Sequence, residues 1–198
     1  MINSTATSKV GSFVEIQTGF QFRKKIEPDP NGNCQVIQIK DFDEARNLQF
    51  GQLSRVSLQS VPEHALVKKG DVLFLARGHK NFAVPIRVDL EKAVAASYFF
   101  ILKITNEKLT PEFLAWFINS PVAQSFLNSQ AKRGTHMPLI PKSAFSELPV
   151  PLPSLERQSK IIQLNKLAQE EQVLSEALAA KRSQLFKTAT LELLRRSA

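Results

Sequence analysis

Hydrophobic positions run along the chain in two rhythms. Up to about residue 152 they come in short clusters. Phe13-Val14-Glu15-Ile16, Cys34 to Ile39, Asp71 to Leu75 and Tyr98 to Leu102 are β-branched or aromatic runs bounded by turn residues, and each predicts a strand. Ala83 to Val88 predicts another, which Pro85 confines to a sheet edge or a bulge because proline cannot donate to a ladder. Lys69-Gly70-Asp71 reads as a turn entering a strand, and Asp29-Pro30-Asn31-Gly32-Asn33 as a loop. Two helices follow. Thr110 caps the first, with Pro111 at its first position and Glu112 complementing the dipole. Phe113, Trp116 and Phe117 then fall at i, i+3 and i+4 and predict a face turned to the core. Ser120-Pro121 repeats the start signal, with Val122, Phe126 and Leu127 as the next apolar stripe. Residues 1–152 therefore predict one α+β globule on a mixed sheet.

From Ser154 the rhythm changes. No glycine or proline occurs between there and the last residue, and good helix formers dominate. Leu164, Leu178 and Leu185 are spaced by multiples of seven, as are Leu167 and Leu174, and Ile161 extends the stripe. This is the pattern of a coiled-coil seam, interrupted by Glu171 and Lys181. One helix over 155–195 would be about 60 Å long at ~1.5 Å per residue. It cannot bury its stripe on itself, so residues 153–198 predict a long helix that packs on the globule, on a second copy or on another protein, and the polar interruptions favour a second copy. Between the two regions Pro149, Pro151 and Pro153 occupy every second position. They hold Leu148 to Leu152 extended and keep the helix from starting before Ser154.

Charge narrows the partners. The net charge is +8 and the pI about 9.7, an excess that points to a polyanion. It is spread over both regions, so it forms patches on folded surface rather than a basic tail. No apolar run reaches the ~18 residues of a membrane span. The polar start MINSTATSKVGS and the single cysteine, Cys34, lead us to expect a cytoplasmic chain with no membrane partner.

Catalytic patterns are absent. The sequence has no G-x-x-x-x-G-K-[ST] and no G-x-G-x-x-G, and no Asp or Glu stands two positions before a lysine. His64, His79 and His136 are far apart, so neither a metal nor a cofactor is expected. What remains is binding. Three glycine-containing basic segments fall in predicted loops: Gly19 to Lys25 with Arg23 and Lys24; Ala76 to Asn81 with Arg77, His79, Lys80 and Asn81; and Ala131 to Met137 with Lys132, Arg133, Thr135 and His136. Each joins cations that neutralise phosphates to side chains able to read base edges. Two rival readings are a stand-alone dimeric DNA-binding regulator and a metal-dependent nuclease built on Gln38, Lys40 and Asp71.

With these elements in order, the chain resembles the specificity subunits of type I restriction–modification enzymes. Gly70 to Phe74 followed by Arg77-Gly78 is similar to the family's strand and loop. Gly134-Thr135, Ile140 to Phe145 and Leu148 to Gln158 are similar to the stretch ending "PLPPL-x-x-Q". The resemblance implies a non-catalytic target recognition domain that reads one half of a split double-stranded DNA target. It also implies a spacer helix that docks methyltransferase subunits and, through them, a restriction subunit. The usual member carries two such units in tandem; one unit here implies a homodimer whose long helices pair as an antiparallel coiled coil.

Overall fold

The computed structural model describes residues 7–131 and 137–196, with side chains as far as 192. The chain divides into two compact units, Met1–Gln158 and Ser159–Ala198. Among the described residues the first contains nine strands: β1 (Thr7–Lys9), β2 (Val14–Thr18), β3 (Cys34–Ile37), β4 (Ser54–Val56), β5 (Val72–Leu75), β6 (Ala83–Pro85), β7 (Ala93–Ala95), β8 (Phe99–Ile104) and β9 (Pro149–Pro151). Its helices are α1 (Pro111–Ile118), α2 (Pro121–Gln130) and the short α3 (Lys142–Ser146); α4 spans Leu155–Arg196.

A four-stranded sheet in the order β2-β8-β5-β6 is antiparallel throughout. Its central strands β5 and β8 are buried on both faces, which explains why Val72 to Leu75 and Phe99 to Leu102 read as continuous apolar runs. On one face Phe74 and Phe100 meet Phe145 of α3, with ring centroids 4.6 and 5.9 Å from it. On the other, Leu73, Leu75, Phe99 and Ile101 join Ile37, Leu48 and Phe82 in one apolar cluster. A second sheet, β4-β3-β7, pairs β3 with β4 antiparallel and with β7 parallel. The mixed α+β architecture therefore holds. β6 lies at its sheet's edge with Pro85 at its last position, and it stops three residues before the expected end.

Both helix caps form as the sequence expects. Thr110 Oγ1 accepts the Phe113 N–H at 3.3 Å, and Ser120 Oγ accepts that of Ala123 at 3.4 Å. Phe113 and Phe117 are buried, and Trp116 packs on Phe113 at 5.6 Å, so these aromatics belong to the core. The stripe assigned to α2 needs correction. Val122 is 73% exposed, and Ala123 takes its place beside Leu127 because α2 turns only one narrow line of residues inward.

The alternating prolines are a strand. β9 pairs antiparallel with β1, with Thr7 opposite Pro151, Ser8 opposite Val150 and Lys9 opposite Pro149. The Val10 N–H donates to the Leu148 carbonyl at 2.9 Å. That sets the parity: Leu148 and Val150 occupy the hydrogen-bonding positions and bury their side chains, while Pro149 and Pro151 fall where no donor is needed. Two residues after Pro153, α4 begins, and the Ser154 hydroxyl accepts the Arg157 N–H at 3.4 Å.

The last residue of the first compact unit, Gln158, is fully buried. Its Oε1 accepts the Thr110 N–H at 2.9 Å and the Thr110 hydroxyl at 3.1 Å. Its Nε2 donates to the carbonyls of Lys108 at 2.6 Å and Pro153 at 2.9 Å. Every hydrogen-bonding direction of the amide is used, and the first turn of α4 is tied to the cap of α1.

Candidate nucleic-acid interface

The antiparallel ladders decide which loops share an end of the four-stranded sheet. Thr18 at the end of β2 faces Phe100, Leu75 at the end of β5 faces Phe99, and Ala83 at the start of β6 faces Phe74. The loops that leave β2 and β5, and the turn that enters β8, therefore emerge together. Backbone hydrogen bonds lock their roots. Gly19 N–H donates to the Phe99 carbonyl at 2.8 Å and Phe20 N–H to that of Ala95 at 2.7 Å. Gly19 runs so close to this turn that a Cβ would lie 2.3 Å from the Ala96 carbonyl oxygen, so only glycine passes. The Tyr98 carbonyl accepts from Ala76 N–H at 2.9 Å and Arg77 N–H at 3.3 Å.

The third basic segment reaches the same place through its far flank. Ile140 N–H donates to the Ala76 carbonyl at 2.9 Å, and Gly78 N–H to that of Pro138 at 3.0 Å. Gly78 has φ +147°, a conformation that favours glycine. Lys132, Arg133, Thr135 and His136 themselves lie outside the described residues. The structure thus brings the Gly19 and Ala76 loops and the 138–140 flank of the third around the turn Ala96–Phe99.

Arg23, Lys24, Arg77, His79 and Lys80 are exposed. Asn81 is not: it is 7% exposed and its Nδ2 donates to the Leu75 carbonyl at 2.7 Å. This corrects the expectation that it lines the binding face. A residue closing the neck of a tight loop must satisfy the backbone carbonyl buried there, and Asn81 does so. Tyr98, which the apolar pattern places in a strand, precedes β8. It is 39% exposed at the mouth of these loops, and only the pairing of its carbonyl with Arg77 reveals its position.

Charge distinguishes the two ends of the sheet. Among the described residues Arg23, Lys24, Arg77 and Lys80 have no ion-pair partner. At the opposite end Lys103 pairs with Asp71 at 3.2 Å and Lys68 with Glu63 at 2.9 Å. The Lys68 ammonium holds the Glu63 carboxyl below its ordinary range, and Glu63 raises Lys68 in return. Unpaired cations at the loop end leave positive charge free for a polyanion.

The residues of the nuclease reading are held apart. Gln38 and Lys40 follow β3 in one sheet, and Lys40 donates to Ser54 Oγ at 3.3 Å. Asp71 enters β5 in the other, its Oδ2 taken by Lys103 and by the Lys68 N–H at 2.8 Å. No group of three His, Cys, Asp or Glu among the described residues could hold a metal ion. Burial pushes the Cys34 thiol up and keeps it a small apolar side chain.

On α4, Leu164, Leu167, Leu174, Leu178 and Leu185 are between 51% and 70% exposed, and Ile161 is half-buried. Leu167, Leu174 and Leu178 line one shallow groove. Among the described residues no helix is long and apolar enough to cross a membrane.

A mixed-sheet domain followed by a long C-terminal helix has the fold of solved type I S subunits. The S subunit of the type I restriction-modification system of M. genitalium matches with TM-score 0.54 and 15% identity, over 86% of this chain and 41% of that one. HsdS of Thermoanaerobacter tengcongensis matches with TM-score 0.66 and 19% identity, over 89% and 44%. A structure from work on complex assembly and conformational transition of the type I R-M system gives 0.66 and 18%, over 94% and 44%. The chain spans less than half the length of these relatives. The model of the type I restriction modification DNA specificity domain matches residues 3–169, and the chain belongs to that family. A domain of this kind supplies DNA recognition and not catalysis. No curated protein matches the chain.

Proposed function

We propose that the chain is a specificity unit whose residues 1–152 read one half of a bipartite duplex DNA target in the major groove. Arg77, His79 and Lys80 face the bases together with Lys132, Arg133, Thr135 and His136, while Arg23 and Lys24 hold phosphates. The observation that supports this reading is the convergence of unpaired basic loops on the Ala96–Phe99 turn at one end of a rigid sheet. Loops fixed at their roots hold side chains in register with successive base steps, which a basic tail cannot do.

Residues 153–198 act as the spacer helix and docking surface. The leucine stripe of α4 pairs antiparallel with that of a second copy, and the paired helices dock methyltransferase subunits and, through them, a restriction subunit. Two-fold pairing makes the target palindromic, with an uncontacted gap between half-sites. These partners place the chain's work in the cytoplasm.

The test is binding of the full chain to a randomised duplex library, with and without the methyltransferase subunit of its host, across a salt series. Enrichment of a split palindrome, with affinity falling as salt rises, is the expected result. Salt-independent affinity, or no affinity even with the methyltransferase, refutes it. Recovery from the host free of any methyltransferase would instead favour a stand-alone dimeric regulator.

A further inference from the structure

A fourth turn meets the same end of the sheet. Phe42 and Leu48 bridge across it, Asp43 N–H donates to the Asn47 carbonyl at 3.0 Å, and Arg46 N–H to that of Asp43 at 2.9 Å. The Asp43 carboxylate is used up inside the turn, accepting from Asn47 N–H at 2.7 Å and from Asn47 Nδ2 and Gln49 Nε2, each at 3.1 Å. The Asn47 bonds hold its carboxyl below the ordinary range. The Phe42 ring packs on Phe82 at 5.3 Å and on Phe99 at 5.5 Å, and Phe82 closes the loop that carries Arg77, His79 and Lys80.

Arg46 stands out on this turn. Its φ is +65°, and among the described residues it is the one non-glycine with positive φ. Glycine or asparagine would take this conformation with less strain, so the backbone does not explain an arginine. Its side chain is exposed, has no ion-pair partner among the described residues, and lies with its guanidinium 5.6 Å from the centroid of the Phe82 ring. A strained residue holding an unpaired cation beside a basic loop is the arrangement expected of a functional position.

We propose that Arg46 is a specificity-determining residue of the DNA face, reading the edge of a guanine through its planar fork. A phosphate contact needs only charge on a flexible arm, which lysine provides. A guanidinium laid on a buried ring and carried by a hydrogen-bonded turn has a fixed plane, which bidentate base reading requires. The inference rests on the reading that this end of the sheet is the DNA face.

Library selection with the full chain and its Arg46→Gly, Arg46→Lys and Arg77→Ala variants tests it. Arg46→Gly relieves the positive φ, so its melting temperature should hold or rise. Its enriched sequence should nevertheless lose a guanine at one position, with discrimination falling about 5- to 150-fold. Arg46→Lys should lose the same guanine despite keeping the charge. If both Arg46 variants keep the enriched sequence, or weaken all sequences equally, while Arg77→Ala still erodes discrimination, Arg46 is no base reader and the DNA face stands. If neither position matters, both readings fall.

Discussion

Gln158 provides the sharpest test of how the recognition domain is closed. Replacing it by methionine, nearly the same length and apolar, removes four hydrogen bonds at a position with no solvent exposure. Two carbonyls and one backbone N–H lose the partner that the buried amide gives them. The fourth group, the Thr110 hydroxyl, can rotate and still accept from Phe113. At about 1 kcal/mol for each of these three lost bonds, the cost is about 3 kcal/mol. That corresponds to a fall in melting temperature of about 6–12 °C for a domain of this size. Urea unfolding gives the free energy. Hydrogen exchange at the Thr110 amide gives the local effect, since that N–H should exchange faster than its neighbours in β8. The carboxylate variant Gln158→Glu adds a sign. A carboxylate there would face the Lys108 and Pro153 carbonyls, so its pKa in the folded state is raised above the unfolded value. The variant should therefore be most stable below the unfolded pKa and lose stability as pH rises through the folded one. A loss under about 1 kcal/mol for methionine, or a glutamate variant more stable at pH 8 than at pH 5, would refute the reasoning.

Three further outcomes follow from the same geometry. Tyr98→Ala should leave the fold intact, because the backbone carbonyl makes the contacts to Ala76 and Arg77, yet reduce duplex affinity several-fold in fluorescence anisotropy; unchanged affinity removes Tyr98 from the interface. Pro149→Gly with Pro151→Gly keeps every β1–β9 hydrogen bond but loosens the unfolded chain, so stability should drop by about 1–2 kcal/mol in urea. If the extended prolines stiffen the connection to the long helix, preference for gap length should broaden while half-site choice persists, and an unchanged gap preference would sink that idea. Asp41 is buried with its carboxyl accepting the Gln38 N–H at 2.7 Å, and burial pushes its pKa up against that bond. A raised folded pKa means the ionised form is disfavoured in the fold. Asp41→Asn should thus stabilise the chain at pH 7, with the gain vanishing below the unfolded carboxyl pKa of about 3.9.

What the sequence settles by itself are features written into neighbouring residues. Fully apolar runs at Val72–Leu75 and Phe99–Leu102 mark strands buried on both faces, Thr110-Pro111 and Ser120-Pro121 mark helix starts, and the stretch Leu155–Arg196, without glycine or proline, marks a long helix. Local propensity and side-chain period suffice for these, because each is decided within a few residues. β1, β4 and β7 were not legible: each is three residues long, and each is a strand only because a distant partner supplies its ladder. In the sequence Gln158 is one polar residue in the first turn of a helix. Its role depends on Lys108 and Thr110, about fifty residues away. At the proposed DNA face the basic residues could be picked out by composition, but exposure could not, since Asn81 and His79 sit two residues apart in one loop and only the tertiary fold buries the first. Arg46 and Tyr98 carried no signal in the sequence, because an exposed arginine in a turn and a tyrosine at a strand end are ordinary. What singles them out is a backbone angle and the place where three loops meet, and long-range pairing alone fixes both.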